Sequence, residues 1–278
     1  MSAISNSEEL FPQAVTLQSP QGDMVRISPY GAHVLSWVTA GEEQLFLSPK
    51  AEFRSGAAIR GGVPLIFPQF AGLGKLPKHG FARTAAWEAA RVTPDSAAFW
   101  LSETPASYQL WPHRFLAEYR LRMGNKRLEM TLSITNTDIS PFSFTAALHT
   151  YFRVQDAREA AVRGLQGLRY RDSANAGQEA LEEAAQVSFA GEVDRLYLQA
   201  PAALQLVDGR RVVDIRSSGF PDAVVWNPGA EKCAALNDMQ AQGYLQFVCV
   251  EAAAAARPLR LAPGESWQGS QSLALAIG

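Results

Sequence analysis

The sequence is poor in cysteine, with Cys233 and Cys249 as the two thiols in 278 residues. Two cysteines are too few for the disulfide framework of a small secreted protein, so we expect both thiols to be buried and reduced. The first residues, MSAISNSEELFPQ, also lack the basic start and apolar core of a secretory signal. A cytoplasmic location is therefore expected.

A charge excess of one sign and long apolar runs are lacking as well. The formal net charge of −2 and the isoelectric point near 6.1 give no electrostatic reason to expect nucleic acid or an anionic membrane as partner. No apolar run approaches the ~20 residues that cross a bilayer. What the chain does have is 47% hydrophobic residues, enough to bury a substantial core. We expect the chain to be a monomer.

Patterns of period two are frequent along the chain. Apolar and polar residues alternate from Phe115 to Met123 and again from Leu128 to Thr135, which is typical of half-buried antiparallel strands. The break at Gly124–Lys126 between them favours a hairpin turn, and Asp208–Gly209 predicts a second hairpin. Other strands are predicted at 14–18, 24–28, 32–38, 87–93, 97–102, 142–148, 195–199, 204–208, 211–216, 222–226, 245–250 and 268–276.

Helical patterns are sparse. Strong helix formers cluster at Gln178–Gln186, and Glu231–Met239 predicts a short turn of helix. Neither stretch is long enough to connect parallel strands repeatedly. We therefore expect an all-β fold, a large antiparallel β-sandwich with only short helices. No linker, repeat or low-complexity tract divides the chain, so a single domain is predicted over residues 1–278, with roughly the first ten residues as a loose tail.

Residues 59–83, IRGGVPLIFPQFAGLGKLPKHGFAR, combine cations, an imidazole, glycines and prolines in one segment. Gly and Pro both oppose a regular strand, whereas side chains such as Phe67 and Phe81 could anchor the segment to a core. An ordered loop that carries charged groups is typical of a functional site, and a solvated surface loop is the alternative. The candidate functional side chains in this segment are Arg60, Lys78, His79 and Arg83.

This segment, GGVPLIFPQF followed by LPKHGFAR, resembles the D-hexose-6-phosphate mutarotases, a branch of the aldose 1-epimerase (galactose mutarotase-like) superfamily. Three later segments resemble the same family in the same order: LHTYFRV around His149, VVWNP at 224–228, and FVCVEA around Glu251, followed by LAPGESW. The resemblance spans nearly the whole chain, and several spaced motifs in order are more specific than one. It implies a β-supersandwich, in agreement with the strand patterns.

Two residues of these motifs are candidates for acid and base. A histidine at the end of an apolar strand, like His149, is more often a hydrogen-bonded core residue than a catalyst. Glu251 directly follows the apolar run FVCV, so it either needs a partner or is solvated where the strand ends. The resemblance implies that His149 is the catalytic acid and that Glu251 is the general base.

Other residues are candidates for substrate binding. A planar, permanently charged guanidinium binds two oxygens at once, so Arg60 and Arg83 together suit a phosphate dianion. Lys78 could add charge toward that phosphate or contact sugar hydroxyls, and we expect His79 to donate or accept hydrogen bonds in the pocket. Asp194 alone predicts a turn aspartate, whereas the resemblance implies that it binds sugar hydroxyls. His33 and His113 have no chemical neighbourhood and are interpreted as structural or surface residues.

The resemblance implies interconversion of hexose 6-phosphate anomers. Opening the ring needs a base for the anomeric hydroxyl and an acid for the ring oxygen, and we expect a neighbouring carboxylate to keep His149 protonated. We expect a small sugar phosphate as substrate and no metal or cofactor, because no metal or dinucleotide motif is found. The alternatives are a mutarotase for neutral aldoses and a non-catalytic carbohydrate-binding sandwich.

Overall fold

Antiparallel strands dominate the computed structural model, which describes residues 14–276. In chain order they begin with β1 Val15–Gln18, β2 Met24–Ser28, β3 His33–Thr39, β4 Glu42–Glu43, β5 Leu65–Ile66, β6 Glu88–Val92 and β7 Ser96–Ser102. They continue with β8 Phe115–Gly124, β9 Arg127–Asn136, β10 Phe142–Leu148, β11 Tyr151–Arg153, β12 Ala161–Arg163, β13 Arg169–Asp172 and β14 Gln178–Leu181. The last are β15 Gln186–Ser188, β16 Val193–Tyr197, β17 Ala203–Asp208, β18 Arg211–Ser218, β19 Asp222–Asn227, β20 Phe247–Leu261 and β21 Ser266–Ala276.

Helices are short, as the sequence predicts. The two α-helices of the described chain are α1 Pro105–Leu110 and α2 Gly229–Ala234, and 3-10 turns occupy Ala82–Thr84, Ser173–Asn175 and Gly243–Leu245. The predicted all-β class is confirmed. No helix within residues 14–276 is long and apolar enough to cross a membrane. The predicted loose tail at the first ten residues lies outside the described residues.

The strands form three sheets. A four-stranded sheet has the order β1-β2-β3-β4, and a nine-stranded sheet has the order β15-β12-β17-β18-β21-β9-β8-β7-β6. An eight-stranded sheet has the order β14-β13-β16-β19-β20-β10-β5, with β11 also paired to β20. Both predicted hairpins are confirmed, since Gly124 pairs with Arg127 and Asp208 pairs with Arg211 across two-residue turns.

The core lies between the eight-stranded and nine-stranded sheets. Alternate residues of β20, such as Val248 and Val250, pack in this core with residues of the nine-stranded sheet, for example Leu132 and Ile215. Successive side chains of a strand point to opposite faces, so the intervening β20 residues lie on the other face. That face, which carries Cys249, Glu251 and Ala253, is called the site face below. Both cysteines are buried free thiols, as predicted.

The helix predicted at Gln178–Gln186 is wrong. Gln178–Leu181 forms strand β14, which pairs with β13, and Gln186–Ser188 forms β15 in the other sheet. The β14 side chains are all exposed, so the stretch has no buried face that would mark it as a strand. Its helix propensity is worth a few tenths of a kcal/mol per residue, which is less than the backbone hydrogen bonds formed by pairing with β13. Arg171 and Glu179 also form a cross-strand ion pair at 3.1 Å.

Candidate active site

The segment 59–83 folds back on itself as an ordered loop. Its backbone closes where the N–H groups of Phe81 and Ala82 both donate to the Phe67 carbonyl, each at 3.1 Å. Inside the loop, the Gln69 amide donates to two backbone carbonyls and accepts from the Leu76 N–H at 2.9 Å. This closure brings the two ends of the segment, with Arg60 and Arg83, to the same region of the molecule.

A glycine in left-handed backbone conformation anchors the start of this loop. Gly62 has φ +62°, and a Cβ atom there would lie 2.1 Å from the Val34 carbonyl oxygen and 2.8 Å from His33 Nε2. His33 Nε2 in turn lies 2.7 Å from the Gly61 carbonyl oxygen, to which it donates as a neutral ring. Burial lowers the pKa of His33 to about 4. His33 is thus a structural residue, as interpreted from the sequence.

His149 and Glu251 meet on the site face. The chain leaves β10 at Leu148, and the His149 N–H donates to the Pro64 carbonyl at 3.1 Å. Strand β20 does not end at Glu251 but continues to Leu261, so the carboxylate is buried instead of solvated. His149 Nε2 lies 3.3 Å from Glu251 Oε1, and the two side chains are 10% and 2% exposed. The expectation that Glu251 needs a partner is confirmed.

Burial acts against the charged form of both members of this pair. Burial lowers the pKa of His149 well below its usual value, with further lowering by His79, Arg83 and Arg60. Burial also raises the pKa of Glu251, as does the nearby charge of Asp194. Both shifts oppose the expected resting imidazolium, because removing a charged ring from water costs more than one carboxylate contact returns. Burial thus favours the neutral form of each group.

Arg60 is held by two partners on opposite edges of its guanidinium. Its Nε donates to Asp238 Oδ2 at 3.1 Å, and Nη2 lies 3.1 Å from the same oxygen. Its Nη1 donates to the Tyr151 hydroxyl at 3.1 Å. Tyr151 and Asp238 raise the pKa of Arg60, so its charge is secure. Ser48 steadies the loop of Asp238 by donating to its backbone carbonyl at 2.6 Å.

Arg83 faces the same region from the other end of the loop. Its Nη2 donates to the Lys78 carbonyl at 2.9 Å, while its buried Nε has no hydrogen-bond partner among residues 14–276. Burial lowers the pKa of Arg83, and the charge of Arg60 lowers it further. Two guanidinium groups therefore lie close enough to repel each other, beside a catalytic-type acid–base pair.

His79 is fixed in one tautomer. The residue has φ +69°, its ring is buried, and its Nδ1 accepts a hydrogen bond from the Ala71 N–H at 3.3 Å. Burial and the charges of Arg83, Lys78 and Arg60 lower the pKa of His79 to about 3. The neutral ring therefore carries its hydrogen on Nε2. Its centroid lies 5.7 Å from that of His149.

Asp194 lies within β16, not in the turn before a strand. It pairs across the sheet with Trp226, which pairs with Cys249, so these residues share the site face with Glu251. Burial raises the pKa of Asp194, and its charge raises that of Glu251. The exposed Lys78 is near both carboxylates, since its charge lowers their pKa values. All seven sequence-predicted site residues are thus brought to one region.

Aromatic rings form the wall behind the acid–base pair. The Tyr151 ring stacks on the His149 ring, with centroids 4.8 Å apart and planes within 10°. Trp226 meets the His149 ring edge-on at 5.8 Å and 86°. Asn227 has a structural role, donating to the Tyr244 and Phe247 carbonyls at 2.8 Å each.

The nine-stranded sheet supports the turn that carries His149. The hydroxyl of Thr150 donates to Gln271 Oε1 at 2.6 Å, and Gln271 Nε2 donates to the Val250 carbonyl at 3.1 Å. Gln271 belongs to β21, so this buried link crosses the sandwich core. Gln271, Asp238 and Tyr151 were not among the site residues predicted from the sequence. An aromatic residue two positions after a candidate histidine was a usable signal for Tyr151, whereas Gln271 and Asp238 stand in unremarkable sequence.

The described residues contain no group of three or more His, Cys, Asp or Glu side chains that could hold a metal ion. What the site itself offers is proton transfer between the Glu251 carboxyl and the His149 imidazole, 3.3 Å apart, next to fixed cations and neutral donors. On the face of an antiparallel sandwich, this arrangement belongs to enzymes that act by general acid–base catalysis on a polar, anionic molecule.

Comparison with known proteins agrees with this class. The family model described as Aldose 1-epimerase matches residues 13–274, and the chain belongs to this family of isomerases. A relative from Cenchrus ciliaris, named "Putative glucose-6-phosphate 1-epimerase", is 39% identical over 94% of this chain and 84% of its own length. A relative of the same name from Escherichia coli (strain K12) is 34% identical over 88% of this chain and 85% of its own.

A solved structure has the same fold. The crystal structure of "a putative mutarotase (YeaD) from Salmonella typhimurium" superposes with a TM-score of 0.88 at 32% identity, covering 95% of this chain and 90% of that one. The predicted antiparallel β-supersandwich and the resemblance stated from the sequence motifs are both confirmed.

Proposed function

We propose that the protein interconverts the α and β anomers of glucose 6-phosphate and related hexose 6-phosphates by acid–base opening and closing of the sugar ring. One observation carries the proposal: Arg60 donates to the Tyr151 hydroxyl, whose ring stacks on His149, and the closed loop brings Arg83 to the same region, where both charges act on His149. A neutral sugar would leave both guanidinium charges without a partner on the substrate. The names of the relatives described above support the same substrate.

The acid–base pair supplies the proton transfers. Glu251, as carboxylate, takes the proton of the anomeric hydroxyl while His149, as imidazolium, protonates the ring oxygen. The ring opens to the aldehyde, the carbon–carbon bond next to it rotates, and closure reverses both transfers. Each group is worth roughly 10²–10⁴-fold in rate. We propose that the reaction needs no cofactor, because no oxidation or group transfer takes place.

Arg60 and Arg83 bind the phosphate. Guanidinium has five N–H donors, and Arg60 uses Nε on Asp238 and Nη1 on Tyr151, with Nη2 also near the Asp238 carboxylate, so donors remain for phosphate oxygens. Arg83 uses a single donor on the Lys78 carbonyl, so most of its donors also stay available. Each charge-assisted hydrogen bond to phosphate contributes roughly 1.5–3 kcal/mol.

Phosphate binding also prepares the acid. The positive fields of Arg83 and Arg60 lower the pKa of His149. A phosphate dianion between the two guanidinium groups offsets these fields and so raises the pKa of His149 toward the imidazolium form. The substrate thereby moves the shared proton from the carboxyl to the imidazole, which leaves Glu251 as the base.

The remaining candidates orient the sugar. His79 donates from Nε2 to a sugar or ring oxygen, since its Nδ1 already accepts the Ala71 N–H. Asp194 accepts from sugar hydroxyls, and Lys78 donates to hydroxyls or adds charge toward the phosphate. We further propose that the chain acts as a monomer of one domain in the cytoplasm, as its composition predicts.

Two-dimensional exchange NMR tests the proposal directly. The enzyme should speed the exchange of α- and β-glucose 6-phosphate far more than that of glucose or galactose at equal concentration. Equal rates on phosphorylated and neutral sugars would favour the neutral-aldose mutarotase. Binding of sugar phosphate without faster exchange would favour a carbohydrate-binding sandwich.

A further inference from the structure

His149 lacks the hydrogen-bonded partner that usually fixes a catalytic imidazole. In such rings the nitrogen that does not face the substrate commonly donates its N–H to a carboxylate or carbonyl, and this hydrogen bond sets the orientation of the ring. In this site Nε2 faces Glu251 at 3.3 Å, and the buried Nδ1 has no hydrogen-bond partner within residues 14–276. The plane of the ring must therefore be fixed by other contacts.

The contact that sets a plane is the face of Tyr151. Its ring lies parallel to the imidazole within 10°, with centroids 4.8 Å apart. The other ring neighbours, His79 at 66° and Trp226 at 86°, meet the imidazole at steep angles. A parallel offset stack restricts rotation of the imidazole out of the shared plane and is worth about 0.5–1.5 kcal/mol beyond the area it buries, by the measured value of aromatic pairs.

Tyr151 is itself fixed at both ends. Its ring packs against Phe247, with centroids 5.1 Å apart, and meets Trp226 edge-on at 83°. Its hydroxyl accepts the hydrogen bond from Arg60 Nη1 at 3.1 Å, and Arg60 is tied to Asp238. These contacts restrict the Tyr151 side chain, which links the proposed phosphate-binding cation to the proposed acid.

We propose that Tyr151 is the positioning residue of this site: its ring holds the plane of the His149 imidazole, and its hydroxyl ties that plane to Arg60. Tyr151 does not itself transfer a proton. The inference rests on the proposed function for its kinetic consequences, but the restraint on the imidazole stands on the geometry alone. Tyr151, the tyrosine of the LHTYF segment, thus has a positioning role that is distinct from proton transfer and from phosphate binding.

Two variants separate the two contacts. Tyr151→Phe keeps the stack and removes the hydroxyl, so kcat should stay within about threefold of wild type. Because Arg60 loses one contact, KM for glucose 6-phosphate should rise roughly three- to tenfold. Tyr151→Leu removes the stack, so kcat should fall on the order of 10²-fold, the effect of a small misplacement of a reacting group. With glucose, Tyr151→Phe should leave KM unchanged.

A control and a second measurement keep the test decisive. Phe99→Leu removes a fully buried ring of β7 in the nine-stranded sheet and reports the kinetic effect of general core damage, which should be small. The ¹⁵N signals of the His149 ring should be sharp in wild type and Tyr151→Phe and broadened in Tyr151→Leu. This readout does not depend on any activity.

Three outcomes would overturn the inference. Tyr151→Leu with kcat within a few-fold of wild type would mean that the stack is dispensable. Equal loss of kcat in Tyr151→Phe and Tyr151→Leu would make the hydroxyl, not the ring face, the important group. Sharp His149 signals in Tyr151→Leu would mean that other contacts fix the imidazole. Failure of the proposed function would be recognised separately, as absent exchange with the wild-type enzyme.

Discussion

Glu251 Oε1, on strand β20, lies 3.3 Å from Nε2 of His149, which directly follows β10, so the two side chains come from distant parts of the chain. Both side chains are buried, and burial pushes their pKa values in opposite directions, upward for the carboxyl and downward for the imidazole. The pair therefore titrates as one coupled unit, in which protonation of one group changes the pKa of the other. Its two members cannot be assigned independent contributions to catalysis.

Substitution of either member should abolish most of the catalysis. Glu251→Gln keeps the shape without the base, and His149→Asn removes the acid, so we expect each to lower kcat by roughly 10²–10⁴-fold. The double variant should be little worse than either single one, because the two groups act together. Exchange NMR on glucose 6-phosphate measures this, with the exposed Glu231→Gln as the control. Activity of Glu251→Gln near that of wild type would contradict the assigned base.

The proposed binding of phosphate by Arg60 and Arg83 predicts a loss of activity that depends on the substrate. Arg83→Ala should lower kcat/KM for glucose 6-phosphate by one to two orders of magnitude, from about 1.5–3 kcal/mol of lost binding, and affect glucose far less. Added salt should weaken turnover of the phosphorylated sugar alone, because screening acts on charge pairs. The control is Arg122→Ala, an exposed arginine of β8. Equal losses on both sugars would make Arg83 a structural residue.

His33 predicts how stability changes in acid. Its pKa is about 4 in the folded chain and 6.5 when unfolded, so below pH 6.5 the unfolded chain binds more protons. The free energy of unfolding should therefore fall as the pH drops from 6.5 toward 4, with His33 contributing on the order of 3 kcal/mol. Denaturant titrations across this range should give a shallower decline for His33→Asn. An unchanged slope in His33→Asn would rule out this origin.

Two glycines with the same backbone angle allow a matched test of close packing. Gly62 and Gly209 both have φ +62°, but a Cβ at Gly62 meets the Val34 carbonyl oxygen at 2.1 Å, whereas nothing lies within 4 Å at Gly209. Gly209→Ala should cost about 1–2 kcal/mol, the strain of a left-handed alanine. Gly62→Ala should cost several kcal/mol more or prevent folding. Similar melting temperatures for the two variants would contradict the crowding seen at Gly62.

Much of the fold could be predicted from the sequence where one face of a strand is buried. The period-two stretches at β8 and β9 and both hairpins are correct, since alternating burial and turn residues leave a direct mark on sequence. The failure at Gln178–Leu181 has the opposite cause. An edge strand with every side chain exposed has no apolar alternation, so local propensity was the only signal, and pairing with β13 overrode it.

The site was predictable as far as chemistry selects residue types. The motifs named the acid–base pair and both arginines, and the fold brings them together. Strand boundaries were harder to predict from the sequence. The predicted strand began at residue 195, whereas β16 begins at Val193, so Asp194 lies in the sheet and not in a turn. The protonation of His149 depends on burial from all sides, and the contacts of Asp238 and Gln271 join residues far apart in the chain. No local pattern contains that information.

The link from Thr150 to Gln271 across the core has a consequence for refolding. Gln271 lies near the end of the chain, in the opposite sheet, yet it holds the turn that presents His149. Until the two halves of the sandwich have docked, the turn lacks this anchor, whatever the state of the individual hairpins. In a refolding experiment, enzymatic turnover should therefore recover later than the strand signal in circular dichroism. It should recover together with the burial of the interior tryptophans. The enzymatic rate then reports the final assembly step.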